Sequence, residues 1–360
     1  MKIITDYNLK RLNSFKVNIK TKYFVEIKKR EDLREISKSS LLKVEKFHIL
    51  GDGTNTLFTQ NFDGLVIKIS IPKKQILSDD TKEVLVKVNA GENWHKFVMW
   101  SVNNRLSGIE DLSLIPGTIG AAPVQNLAAY GQNFGAVTKE VEGISLDTNK
   151  LETITKNECK FYYRDSMFKH ELKNKFFITS VSVKLSKTPH FSTDYFGSAP
   201  YESLKQELIK IVPDLNNLTP KIVAQAVTNL RRIKMPDWTK VGTAGSFFKN
   251  PVVTKNKYRQ LLKVVPNLQA YPVNEMLYPD PDDPIFKMAN YVKIPAGRLL
   301  DELGWKGKRI GNVGTFEKHA LVIINHGNAT GQEILEFSQK MQEDIYTNYD
   351  LKLEPEVNII

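Results

Sequence analysis

Residues 113–132 read SLIPGTIGAAPVQNLAAYGQ, and no ordinary strand or amphipathic helix is written that way. Gly117, Gly120, Ala121, Ala122, Ala128, Ala129 and Gly131 leave one surface nearly bare of side chains over fifteen residues. Such a surface suits a flat ligand, and it equally suits a helix lying close against a sheet, since both select small residues. A second glycine-bearing piece lies upstream. Phe47, His48, Ile49 and Leu50 form a short apolar strand that runs into GDGTNT at residues 51–56, and GLVIKIS at residues 64–70 reads as the next strand. The turn is neither the G-x-G-x-x-G of a dinucleotide fold nor a Walker A loop, because no Gly-Lys-Ser/Thr follows. Its glycines permit positive φ, so consecutive amides can turn inward around a phosphate, although a plain turn is the commoner use of this composition.

Outward from these two pieces, strands and helices mix without a regular βαβ rhythm, so an α+β fold is expected. EVLVKVNA at residues 83–90 alternates as a strand, residues 94–106 have helical apolar spacing, and FFITSVSVKL at residues 176–185 is a strand. Residues 220–234 place Ile222, Val223, Ala226, Val227, Leu230 and Ile233 on one helical face that stops before Pro236, which marks a boundary near Met235. Beyond it, ALVIIN at residues 320–325 is a strand. Thr330 and Glu333 form a capping box for a helix with Ile334, Phe337, Met341 and Ile345 inward.

Composition narrows the function. With 360 residues, 41% hydrophobic and 25% charged, the chain is a globular protein of two or three domains. Lys+Arg minus Asp+Glu is 51 − 40 = +11, which attracts nucleic acid, anionic lipid or a phosphorylated small molecule, or simply makes a lysine-rich solvated surface. The densest basic piece, Arg231-Arg232-Ile233-Lys234, is too short for a nucleic-acid arm, and basic patches interleaved with aromatics are absent. The single Cys159 makes no internal disulfide and no thiolate metal site, which points to a reducing compartment. No leader-like segment and no membrane-length apolar run is present, so a cytoplasmic protein without membrane, nucleic-acid or metal partners is expected.

One further stretch resists a bland reading. TAGSFFKNP at residues 243–251 holds a serine between a glycine and two phenylalanines, so a polar group is kept inside an apolar wall. On its own Ser246 reads as a satisfied turn hydroxyl. A hydrolase nucleophile is disfavoured because the final glycine of G-x-S-x-G is missing.

LGDGTN, IPGTIGAAPVQNLAAYGQ, FYYRDSMFK, KMPDW, AGSFFKNP and LEPEV, in this order over nearly the whole chain, resemble the UDP-N-acetylenolpyruvoylglucosamine reductase family, of the type with a mobile tyrosine loop. The resemblance implies a flavin-binding fold of the vanillyl-alcohol-oxidase type with an additional C-terminal substrate domain. The implied divisions are residues 1–72 and 73–235 as FAD-binding subdomains, the first joined by the extreme C-terminal residues, and 236–356 for the substrate. It implies non-covalent FAD held by Gly51, Asp52, Gly53, Thr54, Asn55 and Thr56, and by Pro116, Gly117, Gly120, Ala121, Gln125, Asn126, Ala129, Tyr130 and Gly131. It further implies NADPH as hydride donor, a UDP-sugar substrate carrying an enolpyruvyl ether, peptidoglycan precursor synthesis, and a monomer.

By the same resemblance Ser246 is the proton donor, with Phe247 and Phe248 excluding water and Lys249 strengthening the local electrostatics. Arg164 faces the substrate carboxylate, and Glu356 is the catalytic glutamate, its charge quenched by a proton or hydrogen bond. Glu354, two residues away on the other face of a strand, is the lesser candidate. Lys234 and Asn250 match positions that touch the UDP-sugar, as does Tyr201, with Tyr195 the alternative. Asp52 departs from the family's usual glycine, and its carboxylate repels a pyrophosphate unless it turns away or is bonded. A flavin-dependent oxidoreductase of the same fold acting on another substrate is the competing reading.

Overall fold

The computed structural model describes residues 1–189, 191, 202–273 and 291–360. The expected Tyr201 and Tyr195 lie outside them. The chain forms two compact units, one from Met1–Tyr7, Thr21–Asp52 and Asp63–Arg231, the other from Asn8–Lys20, Gly53–Phe62 and Arg232–Ile360.

The first unit is built on two sheets. Phe47–Leu50 pairs in parallel with Phe62–Ile69 in a four-stranded sheet completed by Ile3–Asn8 and Lys20–Ile27. The other is antiparallel, in the order Leu151–Thr155, Thr138–Ser145, Phe176–Ser186, Glu83–Asn89, Lys74–Asp79. Its central strand is buried along almost its whole length, as a continuous apolar run requires. The helix Trp94–Asn103 starts where the Asn93 side chain accepts from the Lys96 N–H, and it buries Trp94, Phe97 and Val98. The Trp94 indole N–H finds the Leu112 carbonyl at 2.9 Å, so a large apolar side chain enters the core with its polar atom satisfied.

The helix Pro220–Lys234 buries Val223, Ala226, Val227 and Leu230 against Leu204 and Leu208 of Glu202–Ile211. Ile233, expected on that face, is 54% exposed, because the buried stripe ends a turn before the helix does.

In the second unit, Val313–Phe316 and His319–Asn325 form an antiparallel hairpin with Arg309–Ile310 on its edge. The helix Gly331–Tyr349 carries the expected capping box and buries Ile334, Phe337, Met341 and Ile345. Trp305 packs edge-on against Phe337 and donates to Asp344 at 2.9 Å. Near the end of the chain, Asn358–Ile359 pairs in parallel with Thr56–Leu57. Among the described residues, no helix is long and apolar enough to cross a membrane.

Candidate active site

Ser246 lies in an extended segment tied on both sides. Its backbone bridges Val322, the next residue donates Phe247 N–H to the Leu321 carbonyl at 2.8 Å, and the Phe247 carbonyl accepts from Glu356 N–H at 2.8 Å. Phe248 bridges Pro355. The serine motif is therefore an extended segment bridged on one side to the hairpin and on the other to the LEPEV segment, which brings the backbones of Ser246 and Glu356 close in the fold. Phe247 and Phe248 are completely buried, their rings 5.1 Å apart, while Ser246 keeps partial access.

The side chain of Asn55 donates to the Glu356 carbonyl at 3.1 Å, so a residue expected at the cofactor also positions the glutamate. Glu354 alternates away: it is exposed and pairs with Lys249 at 3.0 Å. That pairing gives the charge of Lys249 an exposed carboxylate partner.

Asn250 accepts from Ala296 N–H at 3.0 Å through its side-chain oxygen, which leaves its amide donors as the part that can meet a ligand. Lys234 is half-buried, and burial lowers its ammonium pKa. Close to it stands His319, which sequence reasoning passed over. Its Nδ1 accepts from Leu321 N–H at 3.2 Å, and burial, reinforced by Lys234, pushes its pKa down to about 4, so the ring is neutral at pH 7.

In the first unit the two glycine-bearing pieces meet. A Cβ added at Gly51 comes within 2.7 Å of the Thr118 hydroxyl and 3.5 Å of Ala121, so glycine is required for that approach. The turn divides between the units after Asp52. In the second unit, Gly53 has φ +63° and a Cβ there meets the Leu12 carbonyl at 1.9 Å, while Thr56 is buried in the strand beside Asn358. Asp52 is bonded by Asn93 and attracted by Lys68, although burial, the larger influence, raises its pKa. The departure from glycine is thus accommodated by partners that hold the carboxylate.

Along residues 113–132, Ile119, Ala122 and Leu127 enter the core, and Ala121 and Gly131 are exposed, with Gly120, Gln125, Ala128 and Ala129 between. The outward side carries mostly small groups, which fits the flat ring system of FAD. Asn126 staples the segment, donating to the Tyr162 carbonyl at 2.9 Å and accepting from Gly135 N–H at 2.8 Å.

Arg164 donates to the Ala128 carbonyl at 2.7 Å, and its guanidinium carbon lies 6.0 Å from the Tyr163 ring centroid. Leu114, Asn126, Tyr130 and Arg164 all have left-handed φ, between 44° and 56°. Each such residue is held at a cost of about 1–3 kcal/mol, and such strain gathers at functional sites. Cys159 is not part of this chemistry: burial raises its thiol pKa to about 12.

Comparisons with known proteins agree with the geometry. Residues 237–360 match the family described as UDP-N-acetylenolpyruvoylglucosamine reductase, C-terminal domain, and residues 21–154 match an FAD binding domain. The UDP-N-acetylenolpyruvoylglucosamine reductase of Flavobacterium johnsoniae is 39% identical over 100% of both chains. That of Amoebophilus asiaticus is 36% identical over 98% of this chain and 97% of its own. A crystal structure of the Thermus caldophilus reductase superposes with a TM-score of 0.63 at 22% identity, covering 99% of this chain and 98% of the other, and shows the shared fold. The α+β architecture, an FAD-binding domain followed by a reductase C-terminal domain, places the chain in the UDP-N-acetylenolpyruvoylglucosamine reductase family.

Proposed function

We infer that the chain reduces UDP-N-acetylglucosamine enolpyruvate to UDP-N-acetylmuramate with NADPH, a step in making peptidoglycan precursors. Its family membership supports the activity, and the assembly of Ser246 beside the Glu356 segment is the observation that carries the chemistry. FAD, when bound, would supply the two-electron relay between NADPH and the terminal carbon of the enolpyruvyl double bond. Gly51, Asp52, Thr118, Ala121 and residues 125–131 line its place, with no histidine or cysteine among them to attach it covalently.

Ser246 Oγ holds the proton that the adjacent carbon takes up, and the hydroxyl is restored from solvent. An enolate is basic enough to take a proton from a hydroxyl, so geometry matters more here than a pKa near neutrality. The buried Phe247 and Phe248 keep one side of the donor dry. Glu356 is fixed through its backbone by Phe247 and Asn55, and we assign its carboxyl to the same reaction. Arg164 offers a planar fork to the substrate carboxylate, while Lys234 and the amide donors of Asn250 serve the UDP-sugar, with Tyr201 assigned to it by resemblance. We assign the FAD-binding subdomains to residues 1–72 and 73–235 and the substrate domain to 236–356. We take the enzyme to be a cytoplasmic monomer, which size-exclusion light scattering checks.

The test is spectroscopic. Purified protein should show a flavin absorbance that NADPH bleaches anaerobically and the enolpyruvyl sugar nucleotide restores, and acid should release the colour into solution. Bleaching without restoration would point to another substrate for the same fold, and colour retained in the precipitate would overturn non-covalent binding.

A further inference from the structure

The second unit holds a cavity of about 760 Å³ that the reaction above does not use. It lies wholly within that unit, walled by Lys10 and residues 16–19, residues 59–61, residues 240–242 and residues 325–331. Asn325 fixes one wall. Its buried side chain donates to the Phe15 carbonyl at 2.8 Å and accepts from Gly327 N–H at 2.8 Å and Ala329 N–H at 3.1 Å, and its backbone bridges Gly242. The buried side chains of Val17, Ile19 and Ala329 make part of the lining apolar.

The charge of the lining has one sign. Lys10, Lys16 and Lys240 line the cavity, and no aspartate or glutamate does. Elsewhere in the chain lysines meet carboxylates closely: Lys87 reaches Glu142 at 2.8 Å, and Lys257 reaches Asp350 at 3.0 Å. Lys16 instead donates to the Thr239 carbonyl at 2.7 Å, and a lysine has two further N–H donors to give. Asp237, outside the lining, stands 3.9 Å from Lys240 and is also bonded by Thr239, so one acid answers three cations. The Glu333 carboxylate is spent on the Thr330 N–H and hydroxyl. Two amides add donors. The Asn18 oxygen accepts from the Asn8 side chain at 2.7 Å and the Asn61 oxygen from Lys20 N–H at 2.8 Å, which leaves the N–H groups of both side chains for a guest.

A recess lined by one sign of charge concentrates ions of the other sign, and its volume falls within the roughly 300–1,000 Å³ of small-molecule sites. Lysines around a partly apolar wall suit a phosphate carried on an organic body. We propose that this cavity binds a small organic phosphate, with Lys10, Lys16 and Lys240 meeting the phosphate and the apolar wall receiving the organic part. The site is separate from the serine: Asn325 is three residues along its strand from Val322, the partner of Ser246, about 10 Å away.

The experiment is calorimetry on the FAD-loaded enzyme at low salt, with ribose 5-phosphate as the probe and inorganic phosphate beside it. Ribose 5-phosphate should bind at one site, about fivefold tighter than phosphate. Lys10→Gln combined with Lys240→Gln should weaken it by about tenfold or more, the loss of charged hydrogen bonds, and leave turnover of the sugar nucleotide within about twofold. Both lysines are exposed, so the fold should survive the change. Lys43→Gln combined with Lys263→Gln removes the same charge from exposed positions outside the cavity and should leave binding within about twofold. Lys234→Gln should do the same, since that lysine is assigned to the UDP-sugar.

No binding of the probe, or parent-like binding in the Lys10 and Lys240 double variant, overturns the proposal. So does a loss in Lys234→Gln, which would send the probe to the sugar-nucleotide site. Equal affinity for phosphate and ribose 5-phosphate overturns it in favour of an inorganic anion. Probe binding is read without turnover, so its failure is distinguishable from failure of the reductase reading.

Discussion

In the second unit the Ser246 segment is held by backbone bridges and hydrogen bonds on either side, and Ser246 is not among the residues with left-handed φ. In the first unit Arg164 and its neighbours Leu114, Asn126 and Tyr130 sit in left-handed backbone, fixed by side chains that reach for carbonyls. The two regions teach where a fold tolerates strain. A proton donor must stay within hydrogen-bond reach of one atom, and a ladder supplies that placement cheaply. A cation acting on a ligand's charge is less exacting in position, so it can ride on a strained loop that is pinned at a few points.

The sharpest way to break this contrast is at the serine. Ser246→Ala removes the donor and leaves its strand pairing intact. Reoxidation of the flavin by the enolpyruvyl sugar should slow by about 10²–10⁴, while reduction by NADPH stays near normal. Stopped-flow absorbance separates the two, and equal slowing of both would return Ser246 to a structural role.

The first unit should respond in stability rather than chemistry. Asn126→Ala loses both staples and leaves alanine in a left-handed conformation, a destabilisation of about 3 kcal/mol that urea unfolding reads. FAD affinity should fall with it.

Acid acts on both units. His48 in the first and His319 in the second have pKa values pushed to about 4 from an ordinary 6.5, in each case mainly by burial. The unfolded chain binds the proton first, so this stabilisation is complete above pH 6.5 and is lost as pH falls toward 4, by roughly 3 kcal/mol for each residue. Denaturation midpoints at pH 7 and pH 4.5 should differ accordingly, and His48→Asn should remove only the share of the first unit.

The smallest effect is expected at Lys249. Because its partner Glu354 is exposed, Lys249→Ala should cost no more than about 1 kcal/mol and change sugar-dependent reoxidation less than twofold. A larger kinetic loss would restore it to the serine's surroundings.

Much of this was legible in the sequence because it depends on local pattern. Periodicity announced Phe47–Leu50, the long helix Pro220–Lys234 and the capped Gly331–Tyr349. The motifs gave the family. Pairing across distant sequence was not legible. Nothing near Lys249 shows that Glu354 will answer it, and nothing in Arg231-Arg232-Ile233-Lys234 shows that the first arginine reaches the Leu114 carbonyl while Ile233 turns out. His319 carries no local signal in the sequence, and only folding brings it beside Lys234. Local rules read each element, whereas charge and burial are settled by whichever remote segment packs there.

The tie between Asn55 and the Glu356 carbonyl spans 301 residues. At roughly 5–20 residues per second of synthesis, Asn55 leaves the ribosome about 15–60 s before its partner exists. Until then the strand Thr56–Leu57 has no Asn358–Ile359 to pair with, and the Phe247 carbonyl lacks the Glu356 N–H. The pairing that surrounds the serine segment is therefore completed only after residues 355–359 have been made.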